Sequence, residues 1–310
     1  MSEALRAAVF WMALALVAVH VGLALAAAGI PCLTALVGLR TTKQLKIFID
    51  KFGQQAATFA LLGGLWAFLV LLGGGTVVFF LSPAEARAAF GFPRPLAAVI
   101  VPLLLGAAVF LAYRGLWQSL KARKSLHTLL GIAATALFWL ALYASLATLR
   151  PLATGLPVSG WGEQLLPTGP TVFWRILALS LVLSLHLAGT FTGAWLVWRR
   201  GKDDFGRDYY NFTMRLSAGA GFAFGLTALA LVIWVCLGLM PAVGELTPRL
   251  TAALAAYGTG MLLALGGEGF VATRENALPQ KFVLVLAFLG SVLALTGLLA
   301  GLANVSGPAF

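Results

Sequence analysis

Eight apolar runs, each long enough to cross a bilayer, leave this chain little choice of architecture. They cover roughly 7–39, 54–81, 95–117, 127–149, 172–199, 214–240, 249–272 and 281–304. A helix needs ~20 residues to span a hydrocarbon layer ~30 Å thick. In that layer each backbone N–H and C=O must be satisfied within the segment, so runs of this length fold as helices. The expected fold is all-α and integral to the membrane, with eight transmembrane helices. The first, fifth and sixth runs exceed the required length and are expected to tilt or to project. ALAAA at 24–28 resembles a signal-peptidase site, but the apolar run around it is far longer than a signal core and is followed by Arg40, Lys43 and Lys46. We read it as a retained first span.

The charges sort by loop. Arg40, Lys43, Lys46 and Lys51 follow the first span, and Arg114, Lys121, Arg123 and Lys124 the third. Arg199, Arg200, Lys202, Arg207 and Arg215 follow the fifth, and Arg274 and Lys281 the seventh. The alternate loops carry only Arg87 and Arg94, then Arg150, then Arg249. Basic loops stay on the cytoplasmic side, so both termini are expected outside. A net charge of +11 would suggest nucleic acid in a soluble chain; with 61% hydrophobic and 10% charged residues it reflects topology, and no nucleic-acid partner is expected. The two cysteines, Cys32 and Cys236, form no CxxC or CxxCH motif, which argues against covalent haem attachment and a cysteine metal cluster.

The Pro- and Gly-rich stretch 150–171 is expected to be an external loop, with Trp161 and Trp174 anchoring it at the interface. It separates a first four-helix bundle, 1–149, from a second, 172–310. His20 and His186 each lie in the first span of their half, about fourteen residues from its outer end, and a basic loop and a glycine-bearing span follow each. This pattern suggests a duplicated four-helix bundle.

An ionisable side chain near the bilayer centre is a functional-site hypothesis by default. His186 is one, with Gly189 and Gly193 following on nearly the same face. It reads as an axial haem-iron ligand, or else as a packing histidine bonded to a neighbouring helix. His20, with Leu23, Ala24 and Ala27 on its face, allows the same two readings. His127, beside Lys124, reads as an interfacial residue. Three histidines cannot make two bis-histidine sites, so the partner of His186 is sought among thioethers. Met261, flanked by Gly258 and Gly260, lies near the same depth, whereas Met12, Met214 and Met240 lie nearer an interface. Met261 is read as that ligand or as core filling. Glu268, two turns further on, is read as a second iron ligand, a proton-handling group, or a partner of Arg274 at the end of its span. Arg175 is a candidate to orient a haem propionate or a quinone oxygen, or a plain interfacial anchor.

The stretch LHLAGTFTGAWLVWRRGKDDFGRDYYNFTMRLSAGAGFAFG resembles the fifth and sixth spans of subunit I of cytochrome bd quinol oxidases. The first span with His20, followed by TTKQLKIFIDKFGQQAATFALLGG, is similar to that family's first two spans. The resemblance implies one or two b haems. His186 would match the low-spin histidine, His20 the first-span histidine of the high-spin site, Met261 the low-spin methionine and Glu268 a high-spin carboxylate ligand. It also implies a place in the inner membrane of a bacterium and exchange with the quinone pool.

The departures from that family shape the expected function. The third span, RPLAAVIVPLLLGAAVFLAYRG, carries no acid, with Val99 and Ala107 where the family has carboxylates. Only PAVGELTP, 241–248, stands in place of the long quinol-binding loop, and the family's ninth span is not expected. The resemblance therefore implies a b-type cytochrome subunit that passes electrons between the quinol pool and a partner such as a c-type cytochrome, without reducing oxygen itself. The alternatives are a shortened quinol:oxygen oxidase and a haem-free membrane carrier or copper-handling protein.

Overall fold

The structure is a computed structural model of the chain, described for residues 2–39, 45–81, 94–120, 123–154, 172–203, 205–239 and 246–305. Its long helices are α1 (Glu3–Leu39), α2 (Lys46–Leu81), α3 (Arg94–Gly115), α4 (Lys124–Thr154), α5 (Val172–Arg199), α6 (Arg207–Leu239), α7 (Pro248–Thr273) and α8 (Lys281–Val305). A 3-10 turn, Leu278–Gln280, joins the last two. All eight are long and apolar enough to cross a membrane, and no strand occurs among the described residues. The chain is an all-α, multi-pass integral membrane protein.

Several helices outrun their apolar segments. The α2 helix begins at Lys46 and α6 at Arg207, each about two turns before the hydropathy rise at 54 and 214. Hydropathy marks the part of a helix that hydrocarbon requires to be apolar; the hydrogen-bond ladder continues into the headgroup region. The α4 helix likewise runs on to Thr154, into the 150–171 stretch. The rest of that stretch, with Trp161, lies outside the described residues, as do Met240, Arg40, Lys43, Arg87 and Lys121.

The two sets of four helices share a core. The main apolar cluster draws Ala26 and Ile30 from α1, Ala56 from α2, Phe110 from α3, Ala134 from α4, Phe191 from α5, Val232 from α6 and Leu295 from α8. The α1 helix packs on α5 and α8 of the second set as well as on α2 and α4 of the first. The division into 1–149 and 172–310 is thus one of sequence order, not of separate cores.

Within this packing, glycines let backbones touch. A Cβ on Gly189 of α5 would lie 2.5 Å from the backbone nitrogen of Gly221 on α6. One on Gly260 of α7 would lie 2.3 Å from that of Ala294 on α8. Small residues serve this purpose in membranes, where the surrounding lipid is as apolar as the side chains. These contacts knit α5 to α6 and α7 to α8 as two hairpins.

The α1 helix continues through Pro31, which has no N–H to give and which crowds the preceding turn. Thr135 of α4 repairs the ladder: its hydroxyl accepts from the N–H of Cys32 at 3.0 Å and donates to the carbonyl of Ala28 at 3.0 Å. A hydroxyl inserted between a helical N–H and its usual acceptor is a recognised way to accommodate proline in a membrane helix.

Candidate functional site

The site lies where the α5–α6 hairpin meets the α7–α8 hairpin. His186 is 1% exposed and Glu268 0%, and both belong to membrane-spanning helices. The His186 Nδ1 donates to the carbonyl of Gly221 on α6 at 2.8 Å, and its Nε2 stands 3.2 Å from Ser291 Oγ on α8. The Nδ1–H follows from a carbonyl being an acceptor only, so Nε2 is left to accept from the serine hydroxyl when the ring is neutral. Gly225, one turn beyond Gly221, makes room for the ring: a Cβ there would fall 2.7 Å from Nδ1.

Glu268 reaches the same place from α7. Its Oε2 lies 3.7 Å from His186 Nδ1, and its Oε1 is hydrogen-bonded to Thr190 Oγ1, one turn beyond His186 on α5. Thr190 Oγ1 is also 3.0 Å from the carbonyl of His186. That hydroxyl has one hydrogen and faces two acceptors. When it donates to the His186 carbonyl, as helical threonines do, it accepts from Glu268. In that arrangement the carboxyl carries the proton; when the hydroxyl donates to Oε1 instead, this bond leaves the carboxyl free to be ionised or protonated. No cation other than His186 stands within ion-pair distance of Glu268 among the described residues. A bare carboxylate so deep would cost several kcal/mol, roughly, without a paired charge. A protonated Glu268 beside a neutral His186 leaves the cluster without net charge, with Glu268 Oε2 the one carboxyl atom that has no hydrogen-bond partner among the described residues.

Two buried polar atoms near this cluster have no partner: Glu268 Oε2 and, one turn back along α6, Ser217 Oγ. Gly193 of α5 faces Ser217 across the hairpin, where a Cβ would lie 3.5 Å from the serine Cβ. A polar niche of this kind suits water, which needs two or more partners to stay buried.

The other residues singled out in the sequence lie elsewhere. Met261 is buried, 3% exposed, where α7 presses on α8: its neighbour Gly260 and, a turn on, Ala264 meet the α8 backbone around Gly290 and Ala294. His186 meets α7 at the level of Leu265 and Glu268, one to two turns further along. Gly260 therefore seats a helix backbone and not a porphyrin edge. His20 is half-exposed; its Nδ1 donates to Leu16 O within its own helix at 2.6 Å, and its ring stacks 6.0 Å from Trp66, which is 53% exposed. Arg175 Nη1 donates to Trp234 O at 2.8 Å and its guanidinium lies 5.0 Å from the Trp234 ring, which makes it an anchor between α5 and α6. Arg274 lies over the ring of Phe270, 4.3 Å from its centroid, while Glu268 turns inward to Thr190.

His127 is more than an interfacial residue. Its Nε2 donates to Tyr113 O at 3.1 Å, serving a carbonyl of the last turn of α3 that has no helical donor of its own. The ring also stacks on Tyr113 at 4.3 Å. It lines a cavity of about 220 Å3 at the basic-loop end, remote from His186 in sequence and in the fold.

Sequence reasoning missed Thr190, Ser217 and Ser291. Thr190 carried a signal, since it follows His186 by four residues and shares its helix face. Ser291 carried none, because which face of α8 turns toward α5 is decided by packing.

Haem at His186 can be tested against these residues. The Nδ1–carbonyl bond suits an iron-ligating imidazole, whose second nitrogen is normally fixed in this way. The unpartnered oxygens of Glu268 and Ser217 also suit a polar occupant. The remainder does not fit: Ser291 closes the Nε2 side at 3.2 Å, and Gly225 and Leu265 press against the ring. The sequence matches no family model and no curated protein.

Proposed function

We propose that this chain is a haem-free membrane carrier whose working step is coupled to a proton held between Glu268 and His186. The observation that carries this reading is the wholly buried Glu268 carboxyl, 3.7 Å from His186 Nδ1, with one oxygen on Thr190 and the other unpartnered. Ionisable residues at such depth mark ion and proton pathways in membrane proteins. The cluster has two electrically neutral arrangements: protonated Glu268 with neutral His186, and carboxylate with imidazolium. A change in helix packing that favours one over the other moves a proton without stranding a charge in the bilayer.

The test is proton movement in liposomes carrying the purified protein. Wild-type protein is expected to dissipate an imposed pH gradient faster than empty vesicles, and Glu268→Gln, which keeps the shape and the hydrogen-bonding capacity but cannot ionise, is expected to match empty vesicles. Equal rates for the two proteins would contradict the reading.

A second reading keeps the bd-like electron-transfer subunit: a b-type cytochrome in the inner membrane of a bacterium, exchanging electrons between quinol and a c-type cytochrome, with His186 as an iron ligand. The hydrogen bond from His186 Nδ1 to Gly221 favours it, together with the resemblance around 185–225. It requires the two hairpins to part at Ser291. A reduced-minus-oxidised optical spectrum decides between the readings. A b-type absorption lost in His186→Ala would establish the second; no such absorption in protein made with ample haem would leave the first.

A further inference from the structure

The buried face of α6 changes character at Gly221. Toward the basic-loop end it presents the hydroxyls of Tyr210, Thr213 and Ser217, all within 1% of full burial, interleaved with the buried Met214 and Ala218. Toward the other end it presents Ala228, Val232, Val235 and Leu239. The hydroxyl-bearing residues are spaced three or four apart, so each lies ~4.5–6 Å further along one face of the helix. The file ends at the surface: Tyr210 OH is hydrogen-bonded to the carbonyl of Asp203, whose side chain is 27% exposed and paired with Arg199. At its inner end stand the two unpartnered oxygens, Ser217 Oγ and Glu268 Oε2, with Gly193 opposite the serine and the Leu284 side chain beside it.

From this asymmetry we infer that, in the conformation described, Glu268 exchanges its proton with the basic-loop face through water held along the hydroxyl-bearing side of α6, with Ser217 as the residue that hands it over. The inference rests on the proposed proton-holding role of Glu268 and adds the route and the side of access. Ser217 and each water on the route accept one proton at a lone pair and release one from the other side, while Thr213 and Tyr210, whose hydrogens go to backbone carbonyls, hold water as acceptors, so nothing is oxidised and no charge accumulates. Thr213 Oγ1 donates to Tyr209 O at 2.9 Å and keeps its lone pairs for a water. Ser217 Oγ has no protein partner to compete for its hydrogen. On the other side of Gly221 the face of α6 offers no hydroxyl, and Gly225 is filled by Leu265 and the His186 ring. Along that part of α6 itself water would find no hydroxyl to hold it.

The experiment follows the infrared C=O stretch of the protonated Glu268 carboxyl in purified, lipid-reconstituted protein after transfer to heavy water. Ser217→Ala and the isosteric Thr213→Val are each expected to slow its deuteration by about tenfold or more, the order expected for loss of one hydrogen-bonded step. Ser217→Thr, which restores the hydroxyl, is expected to recover the wild-type rate. Thr296→Val, a buried hydroxyl lost from α8, should leave the rate unchanged. Unchanged exchange in both Ser217→Ala and Thr213→Val overturns the route while leaving the proton-holding role intact. Equal slowing in Thr296→Val overturns it as well, because the effect would then be one of general packing. A carboxyl band that is absent, or that persists in Glu268→Gln, overturns the proton-holding role itself.

Discussion

His20 and His186 are matched in sequence and opposed in structure. Each lies about fourteen residues from the outer end of the first span in its half. His186 is buried and bonds to α6 and α8, whereas His20 is half-exposed and bonds to its own backbone. The difference is rotational. On α1 the core-facing side runs through Ala18, Gly22, Leu25 and Ile30, with Gly22 against Phe191 and Leu295. His20 sits off that line, beside Trp66. On α5 the whole stretch from Leu183 to Gly193 is buried, because α1, α6 and α8 cover it from several sides. Counting residues from a membrane boundary fixes depth. Which neighbours a side chain meets is fixed by the helices around it.

Substitutions in the tightly and loosely packed regions should widen this contrast. The largest effect is expected for Gly189→Ala against Gly64→Ala. A methyl at 189 meets the Gly221 backbone at 2.5 Å, and at 64 only the Ala27 Cβ at 3.5 Å. Thermal unfolding in detergent should show a loss of about 2–4 kcal/mol for the first and about 0.5 kcal/mol or less for the second. Comparable losses at the two sites would mean that the α5–α6 contact is looser than described.

His186→Ala against His20→Ala comes next. Removing His186 takes the second hydrogen bond from the Gly221 carbonyl and leaves a void among packed helices, at about 2–3 kcal/mol; removing His20 exposes only its Trp66 neighbour to lipid, at under about 1 kcal/mol. Denaturant or thermal titration of both variants checks this, and a larger loss for His20→Ala would reverse the comparison. The smallest effects should come from single hydroxyls. Thr135→Val withdraws the bridge beneath Pro31, and Ser291→Ala removes one partner of His186 Nε2; each should cost about 1 kcal/mol. Hydrogen exchange at Cys32 N–H should quicken in Thr135→Val alone, which separates the two.

The helices and the membrane were legible in the sequence because hydrocarbon imposes its demand on every residue of a span, and a run of apolar residues records that demand directly. The burial of His186 was legible for the same reason. The partner of Glu268 was not. Arg274 is close to it in sequence, yet the carboxyl turns inward to Thr190 and His186, and Arg274 lies on Phe270. Helices apolar all round carry no stripe that says which face meets which neighbour. Met261 shows the same limit. It stands at a reasonable depth beside two glycines, and one of those glycines serves the contact between α7 and α8. Thr135 beneath Pro31 was hidden as well, since it acts across more than a hundred residues of sequence.

The proton proposed for Glu268, deep in the bilayer, is tested most directly by the infrared spectrum of the purified, reconstituted protein near neutral pH. A protonated-carboxyl C=O band in wild type that is absent in Glu268→Gln and unaffected in His20→Ala is the predicted result. A wild-type spectrum without that band, or a band that the glutamine variant retains, would contradict it.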